Sequence, residues 1–439
     1  RFFATCLKTP AALPLLTLPI SDRLKAKRKR LKVPDVDIAV IARQRIVGNT
    51  NGSSVYLLAL CRYLSDQGYR VGMYWPSPET FGRWPVLALK TEMDFLTDVQ
   101  WRGGIKLGRY VFSTALKTYW SFFLTAAEAV LLKLKIIRSP VVPRALSALK
   151  APYRTEDYLF LAPRLQNRRA VIADYAFCTP YLDYRLSPSR TLVLMHDLFS
   201  SRPGQFSGES VKDDYGQFTF DEEIRHLTKA DAIIAIQREE ADKIAPYLQG
   251  TPVMVAPMSA STVGQAAPGN NDTVFFVGSQ AAPNVIGLEW FFQKVWPIVL
   301  SRRPSTKLKV AGSVGRAVTA VPDRVEILGL VDDLKPLYAE AGVVVSPLTT
   351  GSGLKIKLIE ALSHGKACVV TGITLQGISD VAGDAVRLAD DPQDFAEAVI
   401  SLLNNPDARL GLATKALACV KDNFSDDRSF RPVRAFIDG

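Results

Sequence analysis

The stretch from Gly351 to Thr371, GSGLKIKLIEALSHGKACVVT, constrains the fold of this chain more than any other. It follows an apolar run, Val343 to Val345, closed by Ser346 and Pro347, so the predicted order is strand, glycine-bearing loop, helix, strand. That is one βαβ unit. Gly351 and Gly353 let the backbone turn tightly and approach a ligand, and a helix beginning near Leu354 offers its unpaired N–H groups to an anion. Lys355 and Lys357 add positive charge at that end. Leu358, Ile359 and Leu362 form the buried stripe, Lys357 and Glu360 fall three apart on a neighbouring face, and Gly365 ends the helix. A phosphate at the helix start and a sugar hydroxyl pair at Glu360 would both be satisfied. Glycines before a helix also make plain turns, so this pattern by itself leaves a structural loop open as the alternative.

The same residues resemble the signature of the GT-B nucleotide-sugar glycosyltransferases of family 4, the glycosyl transferases group 1. Two glutamates separated by seven residues frame the donor in that family, and the second holds the ribose hydroxyls. Glu360 matches the second glutamate, while Ser352 stands at the first, as in a subset that carries a G-S-G-x-K-x-K-type loop. The resemblance implies an α/β chain of GT-B architecture, two Rossmann-like domains facing each other across a cleft. It also implies a retaining transfer of a sugar from a nucleotide-diphosphate sugar to an acceptor hydroxyl. No metal and no cofactor beyond the donor substrate is expected.

Size agrees with that architecture. A chain of 439 residues predicts two domains, each with its own core, and 48% hydrophobic with 22% charged residues marks it as globular. The net charge of +11 favours anionic partners without choosing among nucleotide phosphates, acidic lipids and nucleic acid. Cys6, Cys61, Cys178, Cys368 and Cys419 are scattered, odd in number and without CxxC spacing, which suggests neither a disulfide framework nor a zinc site. A reducing cytosol fits that usage.

Residues 1–33 place an apolar, proline-broken run (Ala11 to Ile20) before a basic one (Arg23 to Lys32), the reverse of a secretory signal. The tail reads either as solvated or as a polybasic clamp on anionic lipid. A Rossmann-like domain is expected over 34–257. Its first strand is Asp37 to Ile41, its glycine-bearing loop holds Gly48, Gly52 and Ser53, and its first helix runs from about Val55 to Gln67. The GxGxxG fingerprint of dinucleotide binding is missing. Within this domain, residues 101–150 mix aromatic side chains such as Trp101, Tyr119, Trp120 and Phe123 with Arg102, Lys106, Arg109 and Lys117. Such an insert suits an amphipathic element on a bilayer, a buried helical hairpin, or a single-stranded nucleic-acid surface. A linker over 258–271, a second Rossmann-like domain over 272–423 and a final segment, 424–439, returning to the first domain complete the expected organisation.

The resemblance assigns roles residue by residue. Gly52 takes the second place of a glycine pair against the donor diphosphate, with Ser53 beside it, and Asn51 stands at the first. His196, directly after the strand Thr191 to Met195, faces the donor sugar. Gly278, Ser279 and Asn284 form a donor loop, although Ser279 and Ile286 stand where the family usually carries an arginine and a lysine. Lys355 and Lys357 are then the substitutes. Leu330 and Val331 cradle the base through their backbone, and Ser352, Gly353 and Leu354 complete the donor site. The catalytic set is His196, Lys357 and Glu360. Paired aspartates (Asp213 and Asp214, Asp332 and Asp333, Asp390 and Asp391) read as surface or capping groups, not metal ligands. Because the family places acceptor recognition in the first domain, the insert is expected to meet a lipid-linked glycan of polysaccharide assembly on an anionic membrane surface, not nucleic acid, with the protein peripheral on the inner face. Two other classes remain: a GT-B sugar-nucleotide epimerase, and a sugar-nucleotide-binding protein impaired in catalysis.

Overall fold

A computed structural model describes residues 34–137, 139–142, 151–184, 189–201, 219–318, 320–351 and 354–439. The basic tail, the pair Asp213 and Asp214, the end of the insert over 143–150, and the loop residues Ser352 and Gly353 lie outside them.

Short aliphatic runs build the first sheet from β1 (Ile38–Ile41), β2 (Val71–Trp75), β4 (Asp98–Trp101), β7 (Ala170–Asp174), β8 (Arg190–Met195), β9 (Ala232–Ala235) and β10 (Val253–Val255). All pair parallel, in the order β10-β9-β8-β7-β1-β2-β4. Every residue of β1, β7 and β9 is buried, as helices on both faces of a parallel sheet require. The second sheet is parallel too: β11 (Thr273–Val277), β12 (Lys307–Ala311), β13 (Val325–Gly329), β14 (Val343–Ser346), β15 (Cys368–Val370) and β16 (Arg387–Leu388), in the order β13-β12-β11-β14-β15-β16.

Strand order fixes where ligands can enter. In the first sheet β1 lies between β2 and β7, and in the second β11 lies between β12 and β14, so each domain has a switch point where loops part. The loops leaving β1, β11 and β14 therefore flank crevices at the carboxyl ends of their sheets. Those loops carry Gly52, Gly278 and Lys355.

Helix α1 (Gly52–Asp66) starts three residues before the expected Val55, because Asn51 caps it: Asn51 Oδ1 accepts from Ser54 N at 2.9 Å and Ser54 Oγ accepts from Asn51 N at 3.0 Å. The organising βαβ unit is present, with Val343–Ser346 and Cys368–Val370 as its strands. Its helix begins at Ile356, not near Leu354, since Lys355 has non-helical φ and ψ of −86° and 81° and acts as the cap. Gly365 follows the helix with φ 59°, which a side chain would resist. The last helix (Asp426–Asp438) lies against α1, where Phe430 meets Tyr56 edge-on at 5.6 Å and Tyr63 donates to Asp427 Oδ1 at 2.9 Å.

The insert starts as a sheet, an element that none of its expected forms named. Here β3 (Val86–Ala88), β5 (Gly104–Leu107) and β6 (Tyr110–Ser113) make a small antiparallel sheet ordered β3-β6-β5. Gly108, at φ 59°, opens the two-residue turn between β5 and β6, a hairpin device that aromatic and basic composition hides. A buried helical hairpin is excluded over the described residues. The helix α2 (Leu116–Lys133) buries only Thr118 and Glu128, and it leaves Trp120 63% and Phe123 60% exposed. Glu128 is turned inward, accepting from Val142 N at 2.6 Å. No described helix is long and apolar enough to cross a membrane.

Candidate functional site

Between the carboxyl ends of the two sheets lies a cleft of about 240 Å³. The first domain lines it with Gly52, Ser53, Tyr56, Tyr175, His196 and Asp197, and the second with Leu354 and Ile356. Four of the expected residues, Gly52, Ser53, His196 and Leu354, are thus brought to one wall or the other. The approach is tightest at the helix starts. A Cβ on Gly52 would lie 2.8 Å from Ile356 Cδ1, so any larger residue would push the tip of that side chain aside where α1 meets the helix Ile356–Ser363, hereafter α3. Ser53 Oγ donates to Asn51 Oδ1 at 2.9 Å.

His196 is held in place by a residue far away in sequence. Its Nε2 is 2.8 Å from Asp174 Oδ1, because β7 and β8 pair with Asp174 opposite Leu194 and so end side by side. Both side chains are almost fully buried. Tyr175 packs on the imidazole at 4.3 Å between ring centroids, and Tyr56 meets it edge-on at 5.6 Å. Tyr175 has φ 70°, a left-handed conformation that costs a side-chain-bearing residue on the order of 1 kcal/mol or more. The strained turn places its ring in the cleft wall. With Nε2 engaged, Nδ1 is the ring atom left for a ligand.

Around the start of α3 the charges are more balanced than the two lysines alone suggest. Burial pushes Lys355 down to about 8, while Asp197, Glu240 and Glu239 pull the other way. Burial pushes Glu240 up to about 7, with Asp197 adding to the rise, and Glu240 Oε2 is buried with no hydrogen-bond partner. The two domains also touch here through Gly377 N, which donates to Glu239 Oε1 at 3.0 Å. Lys357 and Glu360 do not line the cleft. They lie along α3 from it, with Lys357 Nζ 2.6 Å from Glu360 Oε2. Sequence reading missed Glu240, Asp174's hold on His196 and the strain at Tyr175. Only the position of Asp174 at a strand end and of Tyr175 just past it could have signalled the last two.

The other expected donor residues flank the cleft without lining it. Gly278 is packed under Gly312, where a Cβ would stand 2.1 Å from Gly278 O. Ser279 Oγ accepts from Asn284 Nδ2 at 3.1 Å, so these two side chains hold each other. Leu330 is exposed and Val331 half-buried just past the end of β13. Ile286 is 41% exposed where a lysine was expected. Asp391 caps the helix Pro392–Asn404, accepting from Gln393 N at 2.8 Å, and Asp390 accepts from Gly372 N at 2.8 Å. Asp333 accepts from Lys335 N at 3.0 Å. Among the described residues no three His, Cys, Asp or Glu side chains form a group that could hold a metal.

Residues 271–405, the second sheet with most of its helices, match the family described as Glycosyl transferases group 1. The chain carries a group 1 glycosyltransferase domain. Solved structures extend the likeness across both domains and identify the fold as GT-B. TarM, from S. aureus, superposes with a TM-score of 0.64 at 10% identity, covering 92% of this chain and 99% of its own. Sucrose-phosphate synthase from Thermosynechococcus elongatus gives 0.59 at 15% identity over 91% and 98%. Anabaena HepE, solved with UDP and glucose, gives 0.55 at 12% identity over 92% and 100%. A curated relative, an uncharacterized 44.6 kDa protein in the cps region of Klebsiella pneumoniae, is 24% identical over 176 residues. That alignment spans 37% of this chain and less than half, 45%, of the relative. The group 1 domain contributes Leu354, Lys355 and Ile356 to the cleft region, and the first domain faces it with Gly52 and His196.

Proposed function

We propose that the chain transfers a sugar from a nucleotide-diphosphate sugar to an acceptor hydroxyl with retention at the anomeric carbon. The observation that carries this reading is the meeting of two helix starts, Gly52 of α1 and Ile356 of α3, in one cleft between two Rossmann-like domains. Converging helix N-termini favour a diphosphate, and more so as it gains charge on leaving. In this reading Lys355 and Lys357 add positive charge, Glu360 takes the ribose hydroxyls, His196 turns Nδ1 to the sugar, and Leu330 and Val331 meet the base. Helix ends and lysines do the work of a cation, so no metal and no further cofactor is invoked.

HepE was solved with UDP and glucose, and TarM with UDP and alpha-GlcNAc-glycerol, which supports a nucleotide-sugar donor here. The relative's position in a cps region supports a polysaccharide as the product being assembled. Exposed aromatic residues on α2 support a lipid-linked acceptor met at a membrane surface from the cytoplasmic side. Retention is what the resemblance to the group 1 glycosyltransferases implies, and in this reading the departing diphosphate takes the acceptor proton on the face it leaves.

Titration of the purified protein against UDP-, GDP- and ADP-sugars, with thermal shift and donor hydrolysis as readouts, tests the reading. One nucleotide should stabilise the protein and lose its sugar. Silence across the panel would turn the balance to a binding protein, the reading that Ser279 and Ile286 favour by standing where cations were expected.

A further inference from the structure

A second cavity, of about 370 Å³, opens at the carboxyl end of β4 and shares no lining residue with the donor cleft. Its walls come from Gln100, Trp101, Arg102, Lys106, Phe160 and Arg164, with Gly103 and Gly104 at the turn into β5. Three of these side chains are cationic and none is acidic.

The cations are held ready, and Arg164 is the most telling. It is only 8% exposed and has no ion pair among the described residues; Nε and Nη2 both donate to Gln100 Oε1, at 3.0 and 2.5 Å, and Nη1 donates to Phe160 O. Gln100 is itself fixed, donating from Nε2 to Asp98 Oδ2 at 2.7 Å. A guanidinium taken out of water against a neutral amide oxygen has no direct charge partner, the Asp98 carboxylate beyond Gln100 answering only part of its charge, and buried charges are ordinarily paired directly. Phe160 stacks under it at 3.8 Å and answers part of that charge. Arg102 is oriented by Asp157, at 2.6 Å from Oδ1, and by Pro76 O at 2.5 Å. Trp101, 3% exposed, has an Nε1 with no acceptor. Lys106 stands exposed at the mouth.

Strand alternation adds a second property. Lys106 lines the cavity, so its neighbours Ile105 and Leu107 project from the other face of β5, where they are 56% and 63% exposed. Tyr110 across the turn is 53% exposed, and the open face of α2 follows it in the chain. A cavity lined by three cations thus sits at the border of an apolar surface.

We infer that this cavity is a second ligand site, taking a phosphate or diphosphate group against Arg164, Arg102 and Lys106. The group comes either from a lipid headgroup, whose chains would lie on Ile105, Leu107 and the face of α2, or from a soluble phosphate compound. The site is independent of the sugar-transfer reading, since it shares no residue with the donor cleft.

Inorganic pyrophosphate is titrated calorimetrically into the unaltered chain, Lys106→Glu and Arg164→Gln, and into Gly52→Ala, so that binding weakened by Gly52→Ala is assigned to the donor cleft and only the remainder to this site. The same proteins are floated with phosphatidylcholine vesicles with and without phosphatidic acid. Lys106→Glu and Arg164→Gln should each bind pyrophosphate about tenfold more weakly or worse, the loss of one charge-assisted contact. Lys106 is exposed, so Lys106→Glu reports on the site even if Arg164→Gln fails to fold. Flotation that needs phosphatidic acid, is lost in Lys106→Glu and is competed by pyrophosphate supports the site with a lipid headgroup as occupant. Pyrophosphate binding that is lost in Lys106→Glu without any vesicle binding supports it with a soluble occupant. Equal pyrophosphate affinity in the unaltered chain and Lys106→Glu, or no binding at all, overturns it.

Discussion

Gly52 and Ile356 belong to different domains, yet the space for a Cβ on Gly52 ends 2.8 Å from Ile356 Cδ1. The contact is with the tip of a flexible side chain, so Gly52→Ala should fold normally and shift stability by less than about 1 kcal/mol. Its methyl group would nevertheless crowd the point where a diphosphate meets both helix starts. Affinity for the nucleotide-sugar should fall about tenfold, and Ile356→Val, which deletes the crowding atom, should restore part of it. Calorimetry on the single and double variants checks this. Unchanged affinity in Gly52→Ala would remove that glycine from the donor site.

Glu360 and Lys357 form a half-exposed pair at 2.6 Å, so neither is expected to matter much for folding. Glu360→Ala should weaken nucleotide binding by roughly 1.5 to 3 kcal/mol, the worth of hydrogen bonds to a charged group. Lys357→Ala should lower kcat more than it raises KM if its charge acts on the leaving diphosphate. A change confined to KM would assign Lys357 to ground-state binding.

How much of this could be read in advance depended on whether the signal was local. The unit from Val343 to Val370 was legible because apolar period, lysines and Gly365 all lie within one stretch, and only the helix start moved, to Ile356, once Lys355 proved non-helical. His196 was legible as a position but not as an interaction. Its partner Asp174 lies 22 residues away and arrives only through parallel pairing of β7 with β8. Glu240 was invisible for the same reason, since its environment is made by Asp197 from one loop and Lys355 from the other domain. The hairpin at Gly104–Ser113 was misread because its strands are four residues each, too short to establish an alternation against so many aromatic neighbours.

Glu240 makes stability depend on pH in a defined direction. Its folded carboxyl is raised from 4.5 to about 7, chiefly by burial, so its contribution is full below 4.5 and is lost as the pH rises through about 7. Lys355 runs the other way, losing its contribution as pH falls through about 8, and it is charged across the whole window from 5 to 7. Glu240→Gln should therefore match the unaltered chain near pH 5 and exceed it near pH 8, by on the order of 3 kcal/mol at most. Urea unfolding at the two pH values measures the gap. A gap that does not widen with pH would mean Glu240 is better solvated than its burial indicates.

The face of α2 makes the last prediction, and it separates apolar docking from charge. Trp120 and Phe123 stack at 5.8 Å while remaining largely exposed, and the only acidic residue of the helix, Glu128, is buried against the backbone N–H of Val142. What faces outward is therefore aromatic, aliphatic and basic, the combination that partitions into an anionic membrane interface. Replacing both Trp120 and Phe123 by serine removes apolar area from an exposed surface, so folding should change by no more than about 0.5 kcal/mol per site. Flotation with anionic vesicles should fall in proportion, at low and at high salt alike, because the lost contact is hydrophobic. Deleting residues 1–33 should instead weaken binding only to anionic vesicles and only at low salt, since that tail would act through charge. If the double variant floats as well as the unaltered chain at every salt concentration, α2 does not meet the bilayer.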